Sequence, residues 1–442
     1  MKKSIFLMLV LVVIIYVANT KFLLGAGVLG VYAISFLIAL SRKKTFGELL
    51  ETSIKYSQKS KIVIFVFVFV GALTSSWIAS GTIPGIIYYG IKFINPKIFI
   101  LFSFLISSLV AFFLGSSFGS ASTIGVSLMA IARSGNIDLD IVGASIICGI
   151  YFGDRWSPLS SSANLVASLT EVDIYSNLKN MIKSMIVPYL LTAVFYFFLS
   201  KNYILNTSES NLTNLILENY NLDIRFIFIP VISIIIFSIF RINIKISMGV
   251  SIFIASVVAI FVQQEKFIDI INYLIKGFYK FDGTALEKII KGGGVASMLN
   301  ATSLVFISCA LVGIFEELNI LNFIKQKIID VKTRAELFRN TVIVSIVAGM
   351  VGANQTIAVV MTEQIIENIY DEKKIKRIDL AKDIENSAIV LPSITPWNIA
   401  CYIPCTMFGI TGVKFIPYAT YIWLIPLCTY IYYRFFLKEK NI

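Results

Sequence analysis

The chain has 442 residues, 57% of them hydrophobic and only 14% charged, with 38 Lys and Arg against 26 Asp and Glu for a net charge of +12. A chain this apolar cannot cover itself with polar surface, which excludes a soluble domain and places it in a lipid bilayer. The basic excess does not point to nucleic acid, because the Lys and Arg residues gather in the connections between apolar segments. Their bias favours both termini on the cytoplasmic side.

In chain order, apolar segments at 5–20, 22–41, 61–80, 97–114, 139–152, 184–200, 225–240, 246–263, 296–315, 335–351, 387–410 and 413–433 each approach the about 17–25 residues that a crossing helix needs. The fold expected is an all-α polytopic membrane protein of about 10–12 transmembrane helices. The opening "MKKSIFLMLVLVVIIYVANTKF" has the basic lead and apolar run of a signal peptide, but no small-x-small cleavage site follows, so it reads as an uncleaved first helix.

"GAGVLG" (25–30) matches the dinucleotide fingerprint, yet it lies inside an apolar span with no strand before it, where glycines serve close helix packing. "GSSFG" (115–119) matches a nucleophile elbow around Ser117, but the chain contains no histidine to act as its base, which argues against an enzyme. Cys148, Cys309, Cys401, Cys405 and Cys428 lie in or beside apolar runs without metal-ligand spacing and read as buried small hydrophobes.

An internal repeat organises the rest. "GSASTIGVSL" (119–128) sets over "GANQTIAVVM" (352–361) at an offset of 233 (352 minus 119), and "SPLSSSAN" (157–164) over "LPSITPWN" (391–398) at 234 (391 minus 157). The second match pairs Pro158 with Pro392 and Asn164 with Asn398. Segments 115–134 and 352–368 are too polar and glycine-rich to cross as uniform helices and suit re-entrant hairpins. Segments 139–170 and 378–410 suit helices that break at Pro158 and Pro392 and resume after the asparagine, because proline removes a donor and frees carbonyls one turn earlier. The expected organisation is an N-terminal transmembrane repeat (1–200), a connection (201–224) and a C-terminal repeat (225–442), each repeat with one hairpin and one broken helix.

Irregular polar backbone at membrane depth is tolerated where it lines a cavity, and paired interruptions in two halves point to a transporter's binding site. Freed carbonyls with Ser157, Ser160, Ser161, Ser162, Ser393 and Thr395 are hard oxygen donors suited to Na+, while helix N-termini suit an anionic group. Ser120, Thr123, Asn354, Gln355 and Thr356 in the hairpins, with Asn164 and Asn398 at the breaks, complete the candidate cation or substrate site. Interhelical hydrogen bonding is the alternative role for any one serine. Burying an ionisable group costs at least about 2.5 kcal/mol, so Asp154 and Arg155 are functional candidates. Asp154 is the favoured cation ligand and proton carrier, with Ser157, Asn164 and Asn398 as further Na+ ligands. Glu316, Glu317 and Glu385 are the other proton-coupling candidates. Competition between Na+ and H+ for one carboxylate is enough to couple their movements.

With these residues in view, the chain resembles the NhaC family of Na+/H+ antiporters, within the larger ion-transporter superfamily. The resemblance rests on "WIASGTIPGIIYYG" (77–90), "GIYFGDRWSPLSSSANL" (149–165), "GGGVASML" (292–299) with "GIFEE" (313–317), and "ENSAIVLPSITPWN" (385–398). It implies a secondary transporter of the bacterial cytoplasmic membrane that exchanges Na+ for H+, with Na+ as coupling ion, no bound cofactor, and a homodimer as the candidate assembly. Family members commonly carry acids where this chain has Ser161 and Asn386. With Trp156 and Trp397 beside the motifs, that keeps open a Na+-coupled carrier of small organic anions or amino acids.

Overall fold

The structure is a computed structural model and describes residues 24–42, 44–58, 61–93, 95–158, 160–205, 210–240, 242, 244–281, 292–318, 331–411 and 413–437. The expected first helix, 5–20, lies outside these residues. Within them the regular elements are helices joined by turns and irregular breaks, with an isolated bridge between Phe278 and Gly292.

The chain begins with α1 (Leu24–Ser41), α2 (Phe46–Ser57), α3 (Lys61–Ala79) and α4 (Thr82–Phe93). Thr45 and Glu48 close a reciprocal capping box at the start of α2, and α3 and α4 form one path bent by 68°. Next come α5 (Phe99–Leu114), α6 (Ser117–Ser120), a π-turn (Ala121–Gly125), α7 (Val126–Ser134), α8 (Leu139–Trp156), α9 (Ser161–Leu169) and the long α10 (Ile174–Asn202). The connection at 201–224 contains α11 (Ser210–Asn219), followed by α12 (Ile224–Ile227), α13 (Ile229–Ile239), α14 (Ile244–Phe261), α15 (Phe267–Lys276) and α16 (Leu299–Glu317). The last part holds α17 (Arg334–Gly352), α18 (Gln355–Glu372), α19 (Arg377–Glu385), α20 (Ile399–Phe408) and α21 (Thr420–Ile431).

Among the described residues, three helical stretches are long and apolar enough to cross a membrane alone: 96–113, α10 and α17; the bent α3–α4 path is a fourth. As the sequence leads one to expect, 139–170 and 378–410 are each two shorter helices around an irregular break.

The two repeats agree in backbone conformation at one constant spacing. Left-handed residues stand at Gly115 and Ala353, at Asn136 and Lys374, and at Glu171 and Gly409, each pair 238 apart (353 minus 115, 374 minus 136, 409 minus 171). The N-cap residues Asn95 and Thr333, Ser116 and Asn354, Asp138 and Lys376, and Ser160 and Asn398 keep that spacing. So do Pro188 and Pro426, each inside a helix. The offsets of 233 and 234 are therefore corrected: Pro158 corresponds to Pro396, and Asn398 to Ser160.

The breaks differ from expectation accordingly. In the first, α9 resumes at Ser161 with Ser160 as its cap, before Asn164. In the second, α19 has already ended at Glu385, and Pro392 lies at the start of a 3-10 turn (Leu391–Ile394), just after its first residue, where a missing N–H costs little. The core gathers around α8, which is buried from Ile141 to Arg155. Gly149 and Gly153 let its backbone touch α5: a Cβ at Gly149 would lie 2.5 Å from the Phe104 carbonyl oxygen, and one at Gly153 2.4 Å from the Ala111 Cβ. That contact fixes the end of α8 from which Asp154 projects.

Candidate functional site

Asp154, 2% exposed, sits in the last turn of α8, just before the first break. The Ser160 hydroxyl donates to its Oδ1 at 2.9 Å and the Ser162 hydroxyl to its Oδ2 at 3.0 Å. Ser160 is held for this task by capping α9, where its Oγ accepts from the Ser162 and Ala163 amides at 3.2 Å each. The Ser117 hydroxyl and the Gln355 amide also reach the carboxylate. These two residues are equivalent in the two repeats (355 minus 117 is again 238), so the first residues of both hairpin helices converge on one acid. Gln355 is itself anchored by donating to the Ile389 carbonyl at 2.9 Å. One turn before Asp154, the Tyr151 hydroxyl donates to the Ala400 carbonyl at 2.6 Å, joining the site to the helix after the second break.

Arg155 points away from its neighbour. Fully buried, it donates from Nη1 to the Tyr421 hydroxyl and from Nη2 to the Asn386 Oδ1, both at 2.6 Å. Asn386 is fixed in turn by donating to Thr429 Oγ1 at 3.0 Å. Beside it stands Glu385, fully buried, whose two carboxylate oxygens have no hydrogen-bond partner among the described residues. Arg155 and Asp154 are its charged neighbours.

The remaining candidates form the scaffold or lie elsewhere. Ser157 is buried at the end of α8, and Ser161 is exposed. Asn164 donates to the Pro158 and Ser160 carbonyls at 3.0 and 2.6 Å, closing the first break. Ser120 and Thr123 donate to the Ser116 and Gly119 carbonyls, both at 2.8 Å, around the π-turn. Asn354 caps α18 by accepting from the Thr356 amide, and Thr356 itself is exposed. In the second break Ser393 donates to the Val390 carbonyl at 2.6 Å, and Thr395 is buried where the 3-10 turn ends. Asn398 has both ends of its amide engaged, accepting from the Ala400 amide at 2.9 Å and donating to the Gly349 carbonyl at 2.7 Å. Glu317 closes α16 in a 2.5 Å ion pair with Lys44, away from Asp154, and the side chain of Glu316 lies outside the described residues. The tryptophans are packing residues: Trp156 and Trp397 donate to the Leu178 and Met350 carbonyls at 3.2 and 2.9 Å.

A second buried set of charges lies in the last repeat. Arg334 pairs with Asp383 at 2.5 Å, and the Tyr370 and Tyr433 hydroxyls donate to the same carboxylate at 2.6 and 2.7 Å. Every oxygen there is satisfied, so the group acts as a brace between α17, α18, α19 and the carboxyl-terminal turn.

Sequence reasoning placed Gln355 in the candidate site but missed Tyr151, Tyr421 and the approach of Ser117 to Asp154. Only the 238-residue register could have paired the last two, and no local motif marks the contacts from Arg155 to Asn386 and Tyr421.

A profile of the Na+/H+ antiporter family matches residues 149–437. Among similar proteins, an uncharacterized Na+/H+ antiporter of Haemophilus influenzae is 27% identical over 83% of this chain and 80% of its own length. The malate-2H+/Na+-lactate antiporter of Bacillus subtilis is 29% identical over 82% and 78%, and the Na+/H+ antiporter NhaC of the same organism 25% identical over 82% of each. The family match takes in both breaks, Asp154, Arg155 and Glu385, and the chain belongs to the Na+/H+ antiporter family.

Proposed function

We propose that the chain is a secondary active transporter of the bacterial cytoplasmic membrane that exchanges Na+ for H+, with Na+ held at Asp154. The observation that carries this reading is that the buried Asp154 carboxylate is met by neutral hydroxyls and not by its neighbour Arg155. A hydroxyl that donates to a carboxylate keeps lone pairs for a hard cation lying against both, so Asp154, Ser160 and Ser162 offer Na+ a set of oxygens. Gln355 can add its amide oxygen from the opposite repeat, which ties the ligand set to both halves. Carriage of an organic anion is the weaker reading, because both terminal nitrogens of Arg155 are already bonded within the protein.

The test is transport by the purified protein in proteoliposomes. Adding Na+ should dissipate an imposed proton gradient across the neutral and alkaline range. An absence of Na+-dependent proton flux, together with Na+-dependent uptake of a carboxylate or amino acid, would replace this reading by the organic-anion one.

A further inference from the structure

Two buried acids and one buried base meet at this site, yet only one acid carries hydrogen bonds. Asp154 has its serines, whereas Glu385 has no donor among the described residues and is equally out of water. The charged groups that face Glu385 are Arg155 and Asp154, both on α8. On its own helix, Asp383 is tied to Arg334 and adds no net charge. Tyr421 and Asn386 are neutral and bind Arg155.

We infer that the two cations use different carboxylates of this site: Na+ occupies Asp154, H+ occupies Glu385, and Arg155 is the resident counter-charge that allows only one of them to be present at a time. With both acids ionised and Arg155 charged, the empty site carries one net negative charge. Either Na+ on Asp154 or a proton on Glu385 makes it neutral, and both together make it positive. Net charge buried in a low-dielectric interior is strongly disfavoured, so the empty and doubly loaded forms are the poor ones for moving through the membrane. Exchange then follows without direct competition for one atom, and each cycle moves one Na+ against one proton with no net charge.

This inference rests on the Na+ reading of Asp154, and the experiment separates the two. Binding of radioactive 22Na+ to the purified full-length protein is measured against pH. Apparent affinity should fall on acidification, by up to about tenfold per pH unit, the limit for one proton linked to one Na+. Glu385→Gln, a permanent stand-in for the protonated acid, should weaken Na+ binding tenfold or more and make it independent of pH. Glu385→Asp, which keeps the charge, should keep the pH dependence. In proteoliposomes of the parent protein, a potential imposed with K+ and valinomycin should leave the Na+/H+ exchange rate within twofold.

Parent-like affinity and pH slope in Glu385→Gln would put the proton on Asp154 itself and overturn the division of labour. Exchange driven by the imposed potential would overturn the charge count, and that test needs no variant. Absence of Na+ binding in the parent would remove the Na+ reading along with the inference, a result distinct from both.

Discussion

The two helix breaks close on equivalent caps, Ser160 and Asn398, and differ in length and in the side chains they present. The first is short, between Trp156 and Ser161, and presents side chains: the Asp154 carboxylate with the Ser160 and Ser162 hydroxyls. The second runs from Asn386 to Asn398, and its polar side chains turn mostly onto carbonyls, Ser393 on Val390, Trp397 on Met350 and Asn398 on Gly349. At the 238-residue spacing, Asp154 corresponds to Pro392, Arg155 to Ser393 and Ser162 to Ala400. The brace is equally one-sided, since Arg334, Tyr370, Asp383 and Tyr433 correspond to Pro96, Ala132, Ser145 and Phe195. A doubled scaffold has been divided, with one copy holding the carboxylate proposed to bind Na+ and the other the rigid frame that carries Glu385 and Asn386.

That contrast can be broken at either end. The largest effect should come from the frame: Asp383→Asn leaves Arg334 buried without its counter-charge and should cost about 3–5 kcal/mol, seen as lost folded protein and early thermal unfolding in detergent. Asp154→Asn should do the opposite, folding normally because Arg155 does not depend on it, while losing about 2–5 kcal/mol of Na+ interaction, roughly 30-fold or more in affinity. Folded Asp154→Asn protein that binds and exchanges Na+ like the parent would show that the site is elsewhere.

One serine from each break sharpens the comparison. Ser162→Ala removes a hydroxyl on a charged group, worth about 1.5–3 kcal/mol, and should weaken Na+ binding roughly tenfold. Ser393→Ala removes one neutral bond to a carbonyl and should cost about 1 kcal/mol of stability with Na+ affinity unchanged. The smallest effect belongs to Ser161→Asp. Its side chain is exposed in the first turn of α9, so an acid there should stabilise the helix by about 0.3–1 kcal/mol and leave the pH dependence of exchange as it was. A steeper proton dependence would place position 161 inside the cavity.

Much of this was legible in the sequence. Apolar runs required membrane helices, the glycine-rich and serine-rich segments required helices that turn back, and Asp154 beside Pro158 marked a polar break at depth. The register of the repeat was not legible. Matching Thr123-Ile124 to Thr356-Ile357, and Pro158 to Pro392, followed letters, whereas what recurs is conformation: Gly115 and Ala353 share a left-handed turn with no letter in common. Ser160 and Asn398 cap equivalent helices with different side chains. The partners of Arg155 lie on α21 and just beyond the end of α19, and only tertiary packing brings them to it.

The unvarying spacing has a practical consequence for altering this protein. From Asn95 to Pro188 and from Thr333 to Pro426, each left-handed turn and four of the helix N-caps in one copy find a counterpart in the other at the same 238-residue spacing. Sequence has diverged freely around these points, but length has not. Chain length between the turns therefore sets the depth at which each helix end stands, and a single residue added within α8 ahead of Asp154 would displace Asp154 by about 1.5 Å along the axis and swing it by roughly 100° around it. Deleting or adding one residue in the first turns of α8 should cost transport more than most substitutions at the same positions, although those turns lie far along the helix from Asp154.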